Sequence, residues 1–374
     1  MIDGIVVTDF ESRNDTINRL IKIGVEPRKI ILWNNRGIIE PLTFQADDGT
    51  TVACMEGVQF HIRNQDDANF VGQIRGWLQA QRQFYSLNPA QYREYISLMY
   101  RQVMGKNLDW EHLNTYTEKM AWLKLYDSTP LKTRLADKYL VRQWVAEKIG
   151  AEYLIPLLGV WNNFDEINFD ALPNQFVLKC NHGSGMNIIC RNKNKFNYES
   201  AREKLTAWLA VDYGTLSFEP HYNDINKKII AEKFIEDMNG GLNDYKIHCF
   251  NGKVNFVQVI GNRDHNAHTG NQNFYDFEWN DLKWTFEDYP HFPFDIKRPH
   301  CLEEMKRCAE KLSEDFSYVR IDFYEIKNRV LFGEMTFIPA AGFYPYKKSW
   351  TLEKNLEIGN MMTLPDSKYK FWER

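Results

Sequence analysis

Three short stretches carry residue types suited to phosphate and metal chemistry. In "FVLKCNHGSG", residues 176–185, Lys179 closes an apolar run and is followed at once by His182, Gly183, Ser184 and Gly185. Glycines let backbone N–H groups approach a phosphate, and a lysine beside them supplies the charge. The alternative is an edge-strand lysine that snorkels to water before an ordinary hairpin turn. In "KIIAEKFIEDMNGGLNDYKIHCF", residues 228–250, Glu232 and Lys233 interrupt an apolar strand, and Glu236 and Asp237 follow Phe234-Ile235. A strand edge with backbone N–H and C=O beside a carboxylate can hydrogen-bond an adenine ring, while a nearby acid takes ribose hydroxyls. The other reading is a surface strand of alternating charge.

The stretch "VRIDFYEIKNRVLFGEMTF", residues 319–337, reads as a hairpin in which a three-residue turn at 327–329 sets Asp322 directly opposite Glu334 on one sheet face. Opposed carboxylates destabilise a sheet unless positive charge lies between them. Mg²⁺, a hard ion that accepts carboxylate and phosphate oxygens and retains waters, is one answer. Pairing with Arg320, two residues from Asp322 on the same face, is the other.

The elements that must position these groups are legible in outline. The 374 residues carry 46 Lys and Arg against 50 Asp and Glu, a formal net charge of −4, so no global positive field points to nucleic acid or an anionic membrane. Six scattered cysteines form no C-x-x-C pair and read as reduced, buried thiols of a cytoplasmic protein. No window approaches the roughly 18 consecutive apolar residues of a membrane span, and the start lacks a secretory leader pattern.

Residues 1–66 open with a strand, helix and strand ("DGIVVTDF", "SRNDTINRLIKIG", "PRKIILWN"), a single βαβ unit without the dinucleotide-binding glycines. One such unit cannot cover a sheet. The expectation is a partial Rossmann-like segment, the end of a domain severed from a longer polypeptide. Residues 67–130 repeat apolar positions at helical spacing and are expected to form a helical connector. Residues 131–374 begin with an amphipathic helix, "LADKYLVRQWVAEKIG", in which Asp137 is the expected N-cap, Leu140, Val141, Trp144, Val145 and Ile149 the apolar stripe, and Lys138 and Arg142 border that stripe. Strand-rich hairpins follow, giving an α+β unit.

Together "TEKMAWLKLYDSTPLKTRLADKYLVRQWVAEKIGAEYLIPLLGVW", "LPNQFVLKCNHGSG", "IIAEKFIED", "DYKIHCFNGKV" and "VRIDFYEI…FGEMTFIPAAGF" resemble the TupA-like ATP-grasp family, from about residue 108 to about residue 365. The resemblance implies an ATP-grasp fold, two α+β lobes holding Mg-ATP between antiparallel sheets. It implies that Lys138 and Lys179 contact phosphates together with the loop of Gly183, Ser184 and Gly185. By the same resemblance Glu232, with the backbone of Lys233, Phe234 and Ile235, would hold adenine, and Glu236 or Asp237 the ribose. Asp322 and Glu334 bind one or two Mg²⁺ ions. Lys246 and Arg263 face the transferred phosphate and the acyl group. Where many relatives carry Glu-x-Asn at the metal, this chain has Glu334-Met335-Thr336, in which Thr336 can still coordinate or hydrogen-bond.

The implied reaction is ATP-dependent joining of a carboxylate to an amine through an acyl phosphate, which needs no nucleophilic side chain. The family's setting in capsule and cell-surface polysaccharide clusters suggests a uronic acid, on a nucleotide sugar or glycan, and an amino acid or amino alcohol as acceptor. His265, His268 and Asn271 share a polar loop with Arg263 and are candidates for the acyl-substrate wall, or for a solvated loop. Rival readings are a glycosyltransferase, whose nearest metal motif is Asp276-Phe277-Glu278, an ATP-grasp-type kinase, and a non-catalytic binding partner.

Overall fold

The computed structural model describes residues 5–7, 20, 30–32, 42–46, 49–55, 58–235, 242–264, 269–284, 289–343 and 351–373, with backbone alone for 5–7, 30–32, 42, 263, 264 and 269. Near the start, β1 (Ile5–Val7) and β2 (Ile30–Leu32) pair in parallel. The stretch that gave no clear pattern in the sequence forms an antiparallel sheet of β3 (Leu42–Gln45), β4 (Thr51–Met55) and β5 (Val58–Ile62).

Three helices follow, α1 (Gln65–Ser86), α2 (Tyr92–Met104) and α3 (Tyr116–Tyr126). Their apolar faces contribute to the cores. Val71, Ile74 and Leu78 of α1 join Ala53, Met55 and Phe60 in one core with Phe176, Leu178, Leu205 and Trp208. Tyr116, Met120 and Leu123 of α3 sit in a second core with Ile247, Ile321 and Phe323. Apolar faces at helical spacing give no indication of which sheet they will cover, so periodicity alone could not separate a spacer from a structural layer.

Next come α4 (Pro130–Ala136) and α5 (Val141–Lys148). The helix expected from residue 138 onward begins three residues later. The Asp137 carboxylate accepts from the N–H of Tyr139 at 2.7 Å and of Leu140 at 3.2 Å, which closes a turn, and Leu140 is 42% exposed. Lys138 therefore projects from a turn between two short helices.

The first large sheet has the order β6 (Leu157–Trp161), β9 (Ile229–Lys233), β7 (Phe176–Cys180), β8 (Asn187–Cys190), all antiparallel, with α6 (Tyr198–Ala210) contributing Ala201, Leu205 and Trp208 to its core. The strand carrying Glu232 is thus central, not an edge: Ile229 through Glu232 are buried, and both sides of the strand are paired. The second sheet has the order β12 (Thr269–Tyr275), β11 (Lys253–Asp264), β10 (Asp244–Phe250), β13 (Tyr318–Ile326), β14 (Arg329–Thr336). On one face lies α7 (Leu302–Ser313), burying Leu302, Met305, Ala309 and Leu312 at the spacing of a single helical stripe. The last helix, α8 (Leu352–Asn360), docks on α3, where the Asn355 amide donates to the Thr117 hydroxyl at 3.0 Å.

The hairpin of β13 and β14 opposes Asp322 to Glu334, but by another route than a three-residue turn. Ile326 pairs with Arg329, so the turn is Lys327-Asn328, both left-handed at φ 51 and 58. This is the type I′ geometry that matches strand twist. The register then shifts between Asp322 and Phe323, and Gly333 is the extra residue. A Cβ on Gly333 would lie 3.1 Å from the Asp322 carbonyl oxygen, which explains why the bulge carries glycine. Lysine is poorly suited to a left-handed position. The double change Lys327→Asn, Asn328→Gly is expected to raise stability by about 0.5–1 kcal/mol, read as a higher urea midpoint at unchanged slope.

Candidate functional site

On the first sheet, Val177 pairs with Glu232, so Lys179 and Glu232 share a face. Lys179 Nζ lies 2.6 Å from Glu232 Oε2, and Arg142 Nη1 of α5 lies 3.1 Å from Oε1. Arg142 also donates to the Ile155 carbonyl at 2.7 Å. One buried carboxylate thus serves two cations, leaving a unit positive charge beside the loop that follows β7. In the sequence Arg142 was visible only as a border residue of an apolar stripe; its partnership with Glu232, ninety residues on, is a tertiary fact.

The loop itself is tightly packed. A Cβ on Gly183 would fall 2.9 Å from Met186 Sδ and from the Tyr213 ring, and Gly185 has φ +74. Beneath them His182 is fully buried, with Nε2 at 3.1 Å from the Trp208 carbonyl and 3.2 Å from that of Val211. Burial, with Lys227 nearby, pushes the imidazole down to about 4. Below the ordinary value of about 6.5 the unfolded chain binds a proton that the folded chain refuses, so stability falls as pH drops from 6.5 toward 4. That loss amounts to about 3 kcal/mol from this residue. Thermal unfolding between pH 7 and pH 4 should show a smaller acid loss in His182→Gln than in the parent chain.

Lys138 joins the two sheets. Its Nζ donates to the Gly183 carbonyl at 2.8 Å and lies 3.2 Å from Glu334 Oε2. On the second sheet Lys246 pairs in register with Asp322, and Asp322 with Glu334. Arg320 grips Asp322 with both nitrogens, Nε to Oδ1 at 2.7 Å and Nη2 to Oδ2 at 2.8 Å, and Nη2 also reaches Glu334 Oε1 at 3.4 Å and Thr336 Oγ1 at 3.1 Å. Lys246 bonds Asp322 Oδ2 as well and stands 3.6 Å from Asp244. Burial alone would push the Glu334 carboxyl up, but Lys138, Lys246 and Arg320 together hold it well below the usual range. Lys138, Lys246 and Arg320 offset the repulsion between the opposed carboxylates, and the pairing of Arg320 with Asp322 is formed.

Several expected residues stand elsewhere. Glu236, Asp237, His265 and His268 lie outside the described residues, and Arg263 is placed in β11 by its backbone only. Asn271 is spent on bracing: its Nδ2 donates to the His291 carbonyl at 2.9 Å and its Oδ1 accepts from Asn262 at 3.0 Å. An asparagine in a polar loop looks the same in sequence whether it faces a ligand or ties two segments together. Phe234 and Ile235 follow β9 directly. The N–H of Lys233 already donates to the Pro156 carbonyl at 2.9 Å, so that donor is committed within the fold. Asp276 accepts from both the backbone and the side-chain amide of Asn280, closing a turn, which removes it as a free metal motif.

Residues 118–358 match the sequence model of a family described as TupA-like ATP-grasp. The chain belongs to that family. TupA-like ATP-grasp membership places the two sheets and their helices in an α+β ATP-grasp fold, which contains every charged contact described above. Among solved structures the chain is similar to a D-alanine–D-alanine ligase from Bacillus anthracis, at 16% identity and TM-score 0.35, covering 61% of this chain and 64% of that one. It is also similar to a D-alanine–D-alanine ligase from Helicobacter pylori, at 14% identity and TM-score 0.39, over 98% of this chain and 100% of that one. A third is a RiPP-associated ATP-grasp ligase from Chryseobacterium gregarium in complex with ADP and a leader and core peptide, at 13% identity and TM-score 0.32, over 96% and 94%. The chain spans less than two thirds of the two Bacillus anthracis ligase chains, 64% and 60%. No curated protein matches the sequence.

For a TupA-like ATP-grasp chain the metal question turns on donors. Asp322, Glu334 and the Thr336 hydroxyl, all hard oxygens, share one sheet face and are drawn together by Arg320, whose Nη2 contacts all three. That set fits Mg²⁺. Among the described residues no helix is long and apolar enough to cross a membrane.

Proposed function

We propose that this chain is an ATP-dependent carboxylate–amine ligase acting through an acyl phosphate. The observation that carries the reading is Lys138, whose ammonium touches the glycine loop of one sheet and Glu334 of the other. The groups we assign to phosphate and to metal would thereby meet at one lysine. Lys138 and Lys179 would exchange their carboxylate partners for the phosphates of ATP, with Gly183 to Gly185 offering backbone N–H groups. The backbone at Phe234 and Ile235 would hold adenine, with Glu236 or Asp237 on the ribose. Asp322, Glu334 and Thr336 would hold one or two Mg²⁺ ions, which supply charge neutralisation across the phosphates when bound.

In the first step a substrate carboxylate oxygen attacks the γ-phosphorus and the bond to ADP breaks. Lys246, Arg263 and Lys138 balance the negative charge that builds there. An amine then attacks the acyl carbonyl, inorganic phosphate leaves, and the amine's proton passes to solvent or phosphate. The acyl donor we favour is a uronic acid of a nucleotide sugar or cell-surface glycan, with an amino acid or amino alcohol as acceptor, in the cytoplasm where ATP is supplied. Mass spectrometry and phosphorus NMR on the chain with Mg-ATP, UDP-uronic acids and small amines test this. ADP, phosphate and a product lighter by one water than its two parents support it; a phosphorylated hydroxyl, with no amide, overturns it in favour of a kinase.

A further inference from the structure

Directly paired residues of an antiparallel sheet point to the same side, so Gln258, Lys246, Asp322 and Glu334 form one row across β11, β10, β13 and β14. His248, two residues along β10 from Lys246, and Gln272, paired with Ile260, stand on that same face. None of these three, Gln258, His248 or Gln272, has a part in the phosphate chemistry above. They form a continuous hydrogen-bonded chain. The Tyr318 hydroxyl meets His248 Nδ1 at 2.8 Å, His248 Nε2 meets Gln258 Oε1 at 3.3 Å, and Gln258 Nε2 donates to Gln272 Oε1 at 2.5 Å. All four side chains are buried, Gln272 to 2% exposure, and Gln272 Nε2 has no partner.

Buried amides are almost always satisfied, so a chain of polar groups with one bare end asks for a ligand atom at that end. Turning both amides over and moving the imidazole proton reverses every donor and acceptor, and the bare atom becomes Gln272 Oε1. In both directions the open end is Gln272. A hydroxyl, which donates and accepts, completes the chain either way; a carboxylate completes only one.

We infer that Gln272 binds a hydroxyl of the acyl substrate, held in place through Gln258, His248 and Tyr318, and that the substrate is a polyhydroxylated acid. The inference rests on the ligase reading for the position of the reacting carboxylate near Lys246. Neighbouring strands lie about 4.8 Å apart, so β12 is about 10 Å from the strand of Lys246. The recognised hydroxyl therefore lies within about 10 Å of the carboxylate, across the body of a sugar acid.

The test is calorimetric titration of the full chain, with Mg²⁺ and a non-hydrolysable ATP analogue, using glucuronic acid, UDP-glucuronic acid and succinate. A hydroxylated acid should bind the parent chain at least about tenfold tighter than succinate, and Gln272→Leu should remove that advantage while lowering the thermal midpoint modestly, because it strands the Gln258 Nε2 donor along with deleting the unpaired Gln272 Nε2. Side-chain amide NMR of the parent chain, glutamine-labelled with ¹⁵N, should show the Gln272 pair shift with the hydroxylated acid and not with succinate, a readout that does not depend on the variant folding. Equal affinities in parent and Gln272→Leu, no binding of any of the three acids, or an unmoved Gln272 amide would overturn the inference. Amide product with unchanged KM in Gln272→Leu leaves the ligase reading standing and removes this one. Weakened binding with a phosphorylated hydroxyl as product does the reverse.

Discussion

Glu334→Gln is expected to lower ATP turnover by about a thousandfold while leaving the fold intact. Three cations, Lys138, Lys246 and Arg320, converge on Glu334 and Asp322, and the Glu334 carboxyl is held ionised far below its ordinary range. A neutral amide of the same shape keeps the hydrogen-bond geometry but removes a full charge that both Lys138 and a metal ion would use. Because Lys138, Lys246 and Arg320 favour the ionised carboxylate in the folded chain, its neutralisation also lowers the melting temperature without unfolding the chain. Single-turnover ADP formation and a thermal melt check both halves. The sign of the pH dependence is also fixed. A carboxylate depressed this far stays ionised throughout the neutral and mildly acid range, so an acid limb above about pH 4 in the activity profile belongs to some other group. Unimpaired turnover in the variant removes Glu334 from the site.

Glu232→Ala is expected to cost about 3–5 kcal/mol of stability. Its carboxylate is 9% exposed and bridges Arg142 and Lys179, so deletion strands two poorly solvated cations beside one another. Removing one member of a buried ion cluster is far more damaging than replacing the cluster by apolar groups. Urea unfolding of Glu232→Ala, and of the triple change Arg142→Met, Lys179→Met, Glu232→Leu, should therefore differ, with the triple closer to the parent. Mg-ATP should stabilise Glu232→Ala more than it stabilises the parent, since its phosphates supply the missing anion to Lys179. A Glu232→Ala midpoint equal to that of the parent would mean that the two cations are adequately solvated without it.

The opposed carboxylates were legible in the sequence because strand period and a short turn are local properties. The turn length was not, since a bulge at Gly333 and a turn at Lys327-Asn328 give the same opposition as one longer turn. Lys179 and the glycine loop could be found from residue type and adjacency alone. Arg142, Asn271 and the central position of β9 could not: each depends on which distant segment lies alongside. Arg320 was weighed from its two-residue spacing to Asp322, and that spacing proved sufficient because neighbours on one strand face need no tertiary information.

The bulge ahead of Glu334 has a bearing on how relatives should be compared. A homologue with three residues at the hairpin tip and none at position 333 would keep its acid pair opposed and its glutamate at the same count from the aspartate, yet the strand residues that match Arg329 to Phe332 here would be displaced by one. Gaps in this hairpin belong in pairs, one at the tip and one at Gly333. Counting outward from the aspartate on β13 recovers the opposed glutamate regardless of how the loop has drifted.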